Sequence, residues 1–228
     1  MALRRYIRRS LKYKMDNVHL RKEIISTAMQ MSDAGLGVGM SGNISVRVDG
    51  GFLITPSGMK YNDLLPEDIV FVDFEGKASG TRKPSSEWRF HKDIYKSIDQ
   101  ANAIVHAHPP YSTALACLGK EIPAFHYMVA VAGGDNIRCA EYHLFGTQEL
   151  SDAATKALKG RRACLLANHG LIAHGKTLEK AFSLALEVES IAQQYQLALQ
   201  IGTPTILSDE QMQEVIERFK SYGENAQK

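Results

Sequence analysis

Cysteine is scarce in this chain, and its spacing gives no sign of disulfide bonds. The three cysteines are an odd number and include no C-x-x-C pair. Such usage is typical of a protein in a reducing compartment. The chain also lacks any apolar run of about 18 residues, the length that a membrane-spanning helix needs. We therefore expect a cytoplasmic protein without a membrane segment.

Acidic residues are missing from the first 14 positions, which hold six basic residues. No apolar stretch follows them, so they do not have the pattern of a secretory signal. We predict a disordered basic extension over residues 1–14, with translation starting at Met15. Without these six, the 27 basic residues fall to 21 against 25 acidic ones, a net charge of −4 instead of +2. A mildly acidic body argues against a nucleic-acid partner.

The glycine-rich loops that bind nucleotides are missing as well. Neither G-x-x-x-x-G-K-[ST] nor G-x-G-x-x-G occurs in the sequence. There is also no internal repeat and no linker rich in proline, glycine or serine, so a single domain is predicted.

Hydrophobic periodicity predicts strands in the middle of the chain and helices around them. The predicted helices cover residues 19–33, 87–98, 111–118, 148–159 and 177–200, with a last one opened by Ser208 and Gln211 as a capping box. The predicted strands cover residues 44–48, 52–55, 69–76, 103–108, 163–168 and 171–174. This order predicts an α/β domain with a central, mainly antiparallel β-sheet covered by helices.

Histidines provide the strongest chemical signal. His106 and His108 are two residues apart on a predicted strand, so their side chains point to the same face. His169 lies at another strand end, where Gly170 would permit a tight turn. Three histidines with an open fourth position form a catalytic zinc site, although two histidines hydrogen-bonded at a strand edge would give the same pattern. The other five histidines have no partner at a ligand spacing, and His91 is expected to hydrogen-bond locally to Glu87.

Three polar segments could bind an anion. They are Ser41-Gly42-Asn43, Thr55-Pro56-Ser57-Gly58 and Ser85-Ser86, all at predicted loops or strand–helix junctions. Hydroxyls, amides and the free N–H groups of a helix N-terminus suit phosphate, but each segment alone is more often a plain turn or cap. Glu87 follows directly, either as a partner of the helix dipole or as a base beside a metal.

Long stretches of the chain resemble the class II aldolase/adducin family, and within it the aldolases that act on L-fuculose 1-phosphate. The resemblance runs from Leu20 to Gly223 and includes SGNISVR, FLITPSG, KPSSEWRFH, NAIVHAH, IPAFHYMVAVAGGDNI and LLANHGLIA. It implies that residues 15–228 form a catalytic domain of this family. It further implies a fourfold homotetramer with one zinc ion per subunit and sites between subunits.

The resemblance also implies a role for each site residue. Glu87 ligates the resting metal and then acts as acid/base, while Tyr127 donates a proton in the neighbouring subunit's site. The implied metal ligands are His106, His108, His169 and Glu87. The implied phosphate pocket comprises Gly42, Asn43, Ser57, Gly58, Ser85 and Ser86. The implied aldehyde pocket comprises Phe145, Phe219 and Tyr222.

The implied reaction is the zinc-dependent cleavage of L-fuculose 1-phosphate into dihydroxyacetone phosphate and L-lactaldehyde. Three alternatives stay open. The same site could serve an aldolase for 5-deoxyribulose or methylthioribulose 1-phosphate, since only the aldehyde pocket would differ. An L-ribulose-5-phosphate 4-epimerase is less favoured, because those enzymes carry aspartate where this chain has Glu87. A non-catalytic, adducin-like scaffold is disfavoured by the retained histidines.

Overall fold

The computed structural model describes residues 17–37 and 39–221. Two predictions fall outside this range: the basic extension over residues 1–14 and the aldehyde-pocket residue Tyr222. Within the described range, no helix is long and apolar enough to cross a membrane.

Eight strands form one sheet in the order β4-β3-β2-β1-β5-β8-β7-β6. Every neighbouring pair is antiparallel except β6 and β7, which run parallel. The strands are β1 (Asn43–Val48), β2 (Gly51–Ile54), β3 (Val70–Asp73), β4 (Ala78–Ser79), β5 (Ala103–Ala107), β6 (Cys139–Ala140), β7 (Ala163–Leu166) and β8 (Gly170–Gly175). The predicted fold class, a single α/β domain with a mainly antiparallel sheet, is confirmed. The short strands β4 and β6 were not predicted, because two residues cannot display an alternating pattern.

Helices cover both faces of this sheet. The longer helices are α1 (Val18–Asp33), α2 (Trp88–Ser97), α3 (Pro110–Cys117), α4 (Gln148–Ala157), α5 (Leu178–Ile201) and α6 (Asp209–Ser221). Alternate residues of β5 enter two separate cores: Val105 packs in the core under α1, α3 and α5, while Ile104 packs in the core under α2 and α4. Residues two apart on a strand point to the same face, so His106, like Ile104, lies on the side of the sheet that α2 covers.

Side chains cap the start of three of the longer helices: Thr147 for α4, Thr177 for α5 and Ser208 for α6. Ser208 and Gln211 form the predicted capping box: the Gln211 N–H donates to Ser208 Oγ, and the Ser208 N–H donates to Gln211 Oε1. For α2 the expected cap at Ser85 or Ser86 is wrong, because Glu87 occupies the N-cap position. Ser85 Oγ instead accepts a hydrogen bond at 3.3 Å from the N–H of Glu87, the residue just before the helix begins.

Helix α2 is fixed to the sheet at its other end by Arg47 on β1. The Arg47 guanidinium donates to the carbonyls of Tyr95, Ile98 and Ala101 at 2.5, 3.1 and 2.9 Å. These bonds satisfy carbonyls that a helix C-terminus leaves without partners. The helix therefore has a fixed position along β1, with Glu87 at the sheet end where β1 begins and β5 ends.

Candidate metal centre

Three histidine rings meet where β5 and β8 pair. His106 lies in β5, His108 follows it, and His169 lies in the turn between β7 and β8. The ring centroids are 4.7, 4.8 and 4.9 Å apart, in edge-to-face orientations. One nitrogen from each ring lies within 4.8 Å of the other two. Three imidazole nitrogens this close can bind one ion.

The turn that carries His169 depends on its two neighbours. Asn168 adopts the left-handed conformation with φ 55°, which asparagine tolerates better than most residues. Gly170 is needed for a different reason, since an added Cβ would lie 2.3 Å from the Ala107 carbonyl oxygen and 2.7 Å from His108 Cδ2. The expectation that Gly170 makes the tight turn is therefore wrong: Asn168 turns the chain, and Gly170 permits the close approach.

Hydrogen bonding determines which nitrogen His106 presents to the cluster. Its Nδ1–H donates to the Leu171 carbonyl at 2.8 Å, so in the neutral ring Nε2 carries a lone pair. That Nε2 lies 2.9 Å from His108 Nε2 and 3.2 Å from Glu87 Oε2. Electron-rich atoms facing each other at such distances are stabilised by a cation between them. A backbone carbonyl that orients a histidine in this way is common behind metal ligands, so these residues fit a divalent metal ion.

The Glu87 carboxylate completes this donor set. Its side chain is buried, and Oε1 lies 3.2 Å from His169 Nε2 without a well-aligned hydrogen bond from any described residue. Burial would raise the pKa of Glu87, but the adjacent imidazoles of His106 and His169 outweigh it and hold the pKa below its usual range. Burial, followed by the neighbouring histidines, lowers the pKa of His108 to about 3. An ionised carboxylate and a neutral imidazole are the forms that bind metals.

The three polar segments adjoin one another beside Glu87. The Ser57 N–H donates to the Lys83 carbonyl at 3.1 Å, and the Ser85 N–H donates to the Thr55 carbonyl at 3.0 Å. Thr55 Oγ1 in turn accepts the Ile44 N–H at 3.2 Å, which ties in the segment before β1. These bonds bring together the segments that hold Gly42, Asn43, Ser57, Gly58, Ser85 and Ser86.

The segment before β1 is fixed by Tyr61, a residue for which no role was predicted. The Tyr61 hydroxyl lies 3.0 Å from the Ser41 carbonyl oxygen and 2.8 Å from that of Gly42. Gly42 has φ 87°, and an added Cβ would lie 2.7 Å from the His106 carbonyl oxygen. The polar segment and the histidine strand are therefore in direct backbone contact.

A cavity of about 310 Å³ opens beside the cluster. It is lined by Ser86, Glu87, His108, Tyr142, His143, Phe145, Asn168 and His169. Phe145, assigned to the aldehyde pocket, belongs to this wall, and so does His143, for which the sequence indicated no ligand role. Tyr127 and Phe219 do not line it. Tyr127 is half-exposed, and Phe219 lines a separate cavity with Arg161.

Comparison with known proteins supports a common family for the whole arrangement. The model of the class II aldolase and adducin N-terminal domain matches residues 22–196. A 5-methylthioribulose-1-phosphate/5-deoxyribulose-1-phosphate aldolase of Rhodospirillum rubrum is 56% identical over 210 residues, which cover 92% of this chain and 95% of that protein. An L-fuculose phosphate aldolase of Escherichia coli K12 is 50% identical, covering 92% of this chain and 98% of that protein.

A solved structure of an L-fuculose 1-phosphate aldolase superimposes with a TM-score of 0.85 at 44% identity. The match covers 88% of this chain and 95% of that one. Together with a histidine cluster that fits a metal ion, these matches show that the chain belongs to the class II aldolase and adducin family, as a metal-dependent aldolase of the fuculose-phosphate and ribulose-phosphate type.

Proposed function

We propose that this enzyme cleaves a ketose 1-phosphate into dihydroxyacetone phosphate and an aldehyde at the His106, His108, His169 and Glu87 cluster. The observation that carries the proposal is the buried Glu87 carboxylate. It lies 3.2 Å from two of the histidines and directly follows two serines in a polar segment. A base, a metal-binding set and an anion-binding set next to one another are the three parts that this cleavage needs.

The three histidines and Glu87 would hold the metal, with one ion per subunit. Three imidazoles and a carboxylate suit zinc. When bound, the cation supplies Lewis-acid stabilisation of the negative charge that develops on the C2 oxygen of the ketose as the carbon–carbon bond breaks. The backbone carbonyl of Leu171 keeps His106 in the tautomer that such binding requires.

The adjoining polar segments would bind the phosphate of the substrate. Gly42, Asn43, Ser57, Gly58, Ser85 and Ser86 contribute N–H groups and side-chain donors near the start of α2, whose dipole favours an anion. Binding the phosphate away from the reacting bond fixes the orientation of C3 and C4 relative to Glu87.

The proposed cleavage has two proton transfers. The C3–C4 bond breaks, its electron pair forms the C2–C3 double bond of the enediolate, and the C4 oxygen becomes the aldehyde carbonyl after losing its proton. Tyr127 of the partner subunit, as the phenolate, takes that C4 hydroxyl proton, the reverse of the donation that it makes in the synthesis direction. Glu87, after taking a proton from solvent, delivers it to C3, which produces dihydroxyacetone phosphate, and Tyr127 returns its proton to solvent.

The role of Tyr127 requires a second copy of the chain. It does not line the cavity at its own histidines, and its side chain is half-exposed. Three large side chains at or next to the cavity wall are also more than half-exposed: Tyr142, Leu144 and Phe145. Exposed aromatic and aliphatic groups of this kind mark protein–protein contacts. We propose a fourfold homotetramer of catalytic domains spanning residues 15–228, in which Tyr127 and Phe219 reach a neighbouring site. A cytoplasmic location, expected from the cysteines, stays a prediction.

Two kinds of aldehyde product are supported by specific observations. The relative at 56% identity is named for 5-methylthioribulose and 5-deoxyribulose 1-phosphates, and the apolar wall at Phe145 and Tyr142 suits the aldehydes that these substrates release. The relative at 50% identity is named for L-fuculose phosphate, the substrate predicted from the sequence, whose aldehyde carries an additional hydroxyl.

A substrate panel tests the proposal. Metal-loaded protein is given each of the three ketose 1-phosphates, and dihydroxyacetone phosphate release is measured with a coupled enzyme. The proposal expects release that a chelator abolishes and that the unphosphorylated sugars do not support. Release from none of them, together with interconversion of L-ribulose 5-phosphate and D-xylulose 5-phosphate, would replace the aldolase proposal by an epimerase. The highest kcat/KM among the three identifies the aldehyde.

A further inference from the structure

A chain of buried polar side chains leads from the middle of α2 to Glu87. Tyr95 Oη lies 2.7 Å from Ser45 Oγ, which lies 2.6 Å from His91 Nδ1. On the other side of the ring, His91 Nε2 lies 2.5 Å from Asn43 Oδ1. Asn43 Nδ2 then donates to Glu87 Oε2 at 2.9 Å. Asn43 and Ser45 lie in β1, and the other residues lie in α2 or at its N-cap. Each bond joins residues more than 40 positions apart, so only the fold brings them together.

The ionised carboxylate determines the direction of every bond in this chain. A carboxylate only accepts, so Asn43 must present its amide N–H₂ to Glu87 and its carbonyl oxygen to His91. His91 must therefore donate from Nε2, and its Nδ1 must accept from the Ser45 hydroxyl. Ser45 Oγ then accepts from Tyr95. All the donors point toward Glu87, an arrangement in which each bond polarises the next.

The surroundings keep His91 neutral and immobile. His91 and Ser45 are fully buried, and the Phe90 ring stacks on the imidazole with centroids 4.7 Å apart. Burial, followed by the charge of His106, lowers the pKa of His91 to about 3, so the ring carries a single N–H. With two nitrogens and two partners, the ring has no hydrogen-bonding capacity to spare.

This differs from the local hydrogen bond to Glu87 expected from the spacing of His91 and Glu87 on one helix. Both ring nitrogens of His91 are used by residues of β1, and the contact with Glu87 passes through Asn43.

We propose that His91 is a positioning residue that holds the Asn43 amide in the orientation that donates to Glu87 Oε2. The other oxygen, Oε1, then faces His169 with no well-aligned donor among the described residues, and it is the one free to take and deliver the proton. If the amide rotated by half a turn, its carbonyl oxygen would face the carboxylate, and the two acceptors would repel each other. This inference rests on the proposed function, in which Glu87 transfers the proton at C3.

Two substitutions separate the proposed role from simple core packing. In His91→Gln, the side-chain amide reaches the place of Nε2 and can still donate to Asn43. In His91→Asn, the shorter amide reaches only the place of Nδ1, so the partner of Ser45 is kept and the donor to Asn43 is lost. Both changes remove the ring and its packing on Phe90. A purely structural role would therefore affect them alike.

The proposal expects kcat to fall about 10- to 100-fold in His91→Asn, the usual loss when a residue that orients a site group is changed. It expects His91→Gln to keep kcat within about threefold of native, with bound metal unchanged in both variants. His174→Asn is the matched control, because His174 is also buried but its ring bonds, within the described part of the chain, the Arg161 carbonyl alone, at 3.1 Å and away from the site. Equal losses in the Gln and Asn variants would overturn the proposal.

The tautomer of His91 gives a readout that needs no variant and no activity. Long-range ¹H–¹⁵N correlation of protein labelled at histidine, with and without metal, should show His91 protonated at Nε2 and bare at Nδ1. Protonation at Nδ1 would overturn the proposal even if the variants failed to fold. Glu87→Gln distinguishes failure of the proposed function from failure of the role of His91. Native cleavage in Glu87→Gln would contradict the proposed function itself. Loss of cleavage in Glu87→Gln, together with native kcat in His91→Asn, would contradict only the proposed role of His91.

Discussion

Gly42 has no space for a side chain, and its backbone conformation disfavours any residue other than glycine. Gly42→Ala combines a left-handed φ with a Cβ 2.7 Å from the His106 carbonyl oxygen, so the histidine strand or the polar segment must move. We expect a loss of about 2–4 kcal/mol in the free energy of unfolding, together with weaker metal binding.

Gly50→Ala is the matched control for this change. Gly50 has a similar φ of 72°, but nothing lies within 4 Å of the added Cβ, so only the backbone strain of about 1 kcal/mol remains. Urea unfolding and metal titration of both variants check the comparison. Equal stability and equal metal affinity in the two would show that the contact between Gly42 and His106 has no importance for the site.

Tyr61 connects a core position to the proposed phosphate pocket. Tyr61→Phe removes the donor shared by the Ser41 and Gly42 carbonyls, at a cost of about 1 kcal/mol in stability. Because this segment would bind the phosphate, we expect KM for the ketose 1-phosphate to rise several-fold with a smaller change in kcat. Steady-state kinetics measures both. Tyr195→Phe, on a ring that packs against Phe125, should leave KM at its native value.

Which residues belong to the site could be predicted from the sequence much better than the contacts that they make. The spacing of His106 and His108 predicts two rings on one face, and the polar segments follow from their composition. Nothing in the sequence predicts that Asn43 contacts both Glu87 and His91, or that Tyr61 binds the carbonyls before β1. Such contacts join residues about 20 to 50 positions apart and depend on the register between strands and α2, which local patterns do not determine.

Helix α6 carries Phe219, and its start depends on one side chain. Ser208→Ala removes the acceptor for the Gln211 N–H and half of the capping box, a loss of about 1 kcal/mol in local helix stability. We expect faster amide hydrogen exchange at the start of residues 209–221, with the sheet unchanged. If Phe219 acts in a neighbouring site, kcat/KM should also fall modestly.

Thr177→Ala provides the comparison on another helix. Thr177 caps α5 through the Lys180 N–H at 3.2 Å, so the same loss should loosen α5 and leave exchange in α6 as it is. An equal change of exchange in α6 for both variants would contradict a local effect of the Ser208 cap.

Elements long enough to show a period were predictable to within a residue or two at most ends. Helix α5, with its apolar positions at helical spacing, and strand β5, with its β-branched run, are examples. The ends that were predicted wrongly are those where tertiary contacts decide. Glu87, not a serine, occupies the N-cap position of α2 without a side-chain capping bond, and its carboxylate contacts His106 and Asn43 instead.

At the scale of the whole molecule, the fold class followed from the order of strands and helices, whereas the tetramer follows only from resemblance. Exposed Leu144 and Phe145 give it physical support, since large apolar groups gathered around a cavity are stabilised by a covering surface. Light scattering should give about four times the mass of the 25.2 kDa chain.

Mixing of inactive subunits tests whether sites are shared. Glu87→Gln and Tyr127→Phe subunits should each be nearly inactive alone. If Tyr127 acts in a neighbour's site, a tetramer reassembled from equal amounts of both should regain about a quarter of native activity, because about one interface in four then joins two intact groups. Activity that stays at the level of the separate variants would place Tyr127 outside the neighbouring site.

The central claim is that Glu87, beside a metal held by three histidines, moves the proton at C3 of dihydroxyacetone phosphate. Solvent deuterium exchange into dihydroxyacetone phosphate, followed by proton NMR, measures this step without any aldehyde. We predict fast exchange with metal-loaded native protein, no exchange after chelation, and exchange at least about 100-fold slower in metal-loaded Glu87→Gln. Exchange at the native rate in Glu87→Gln with its metal bound would contradict the account.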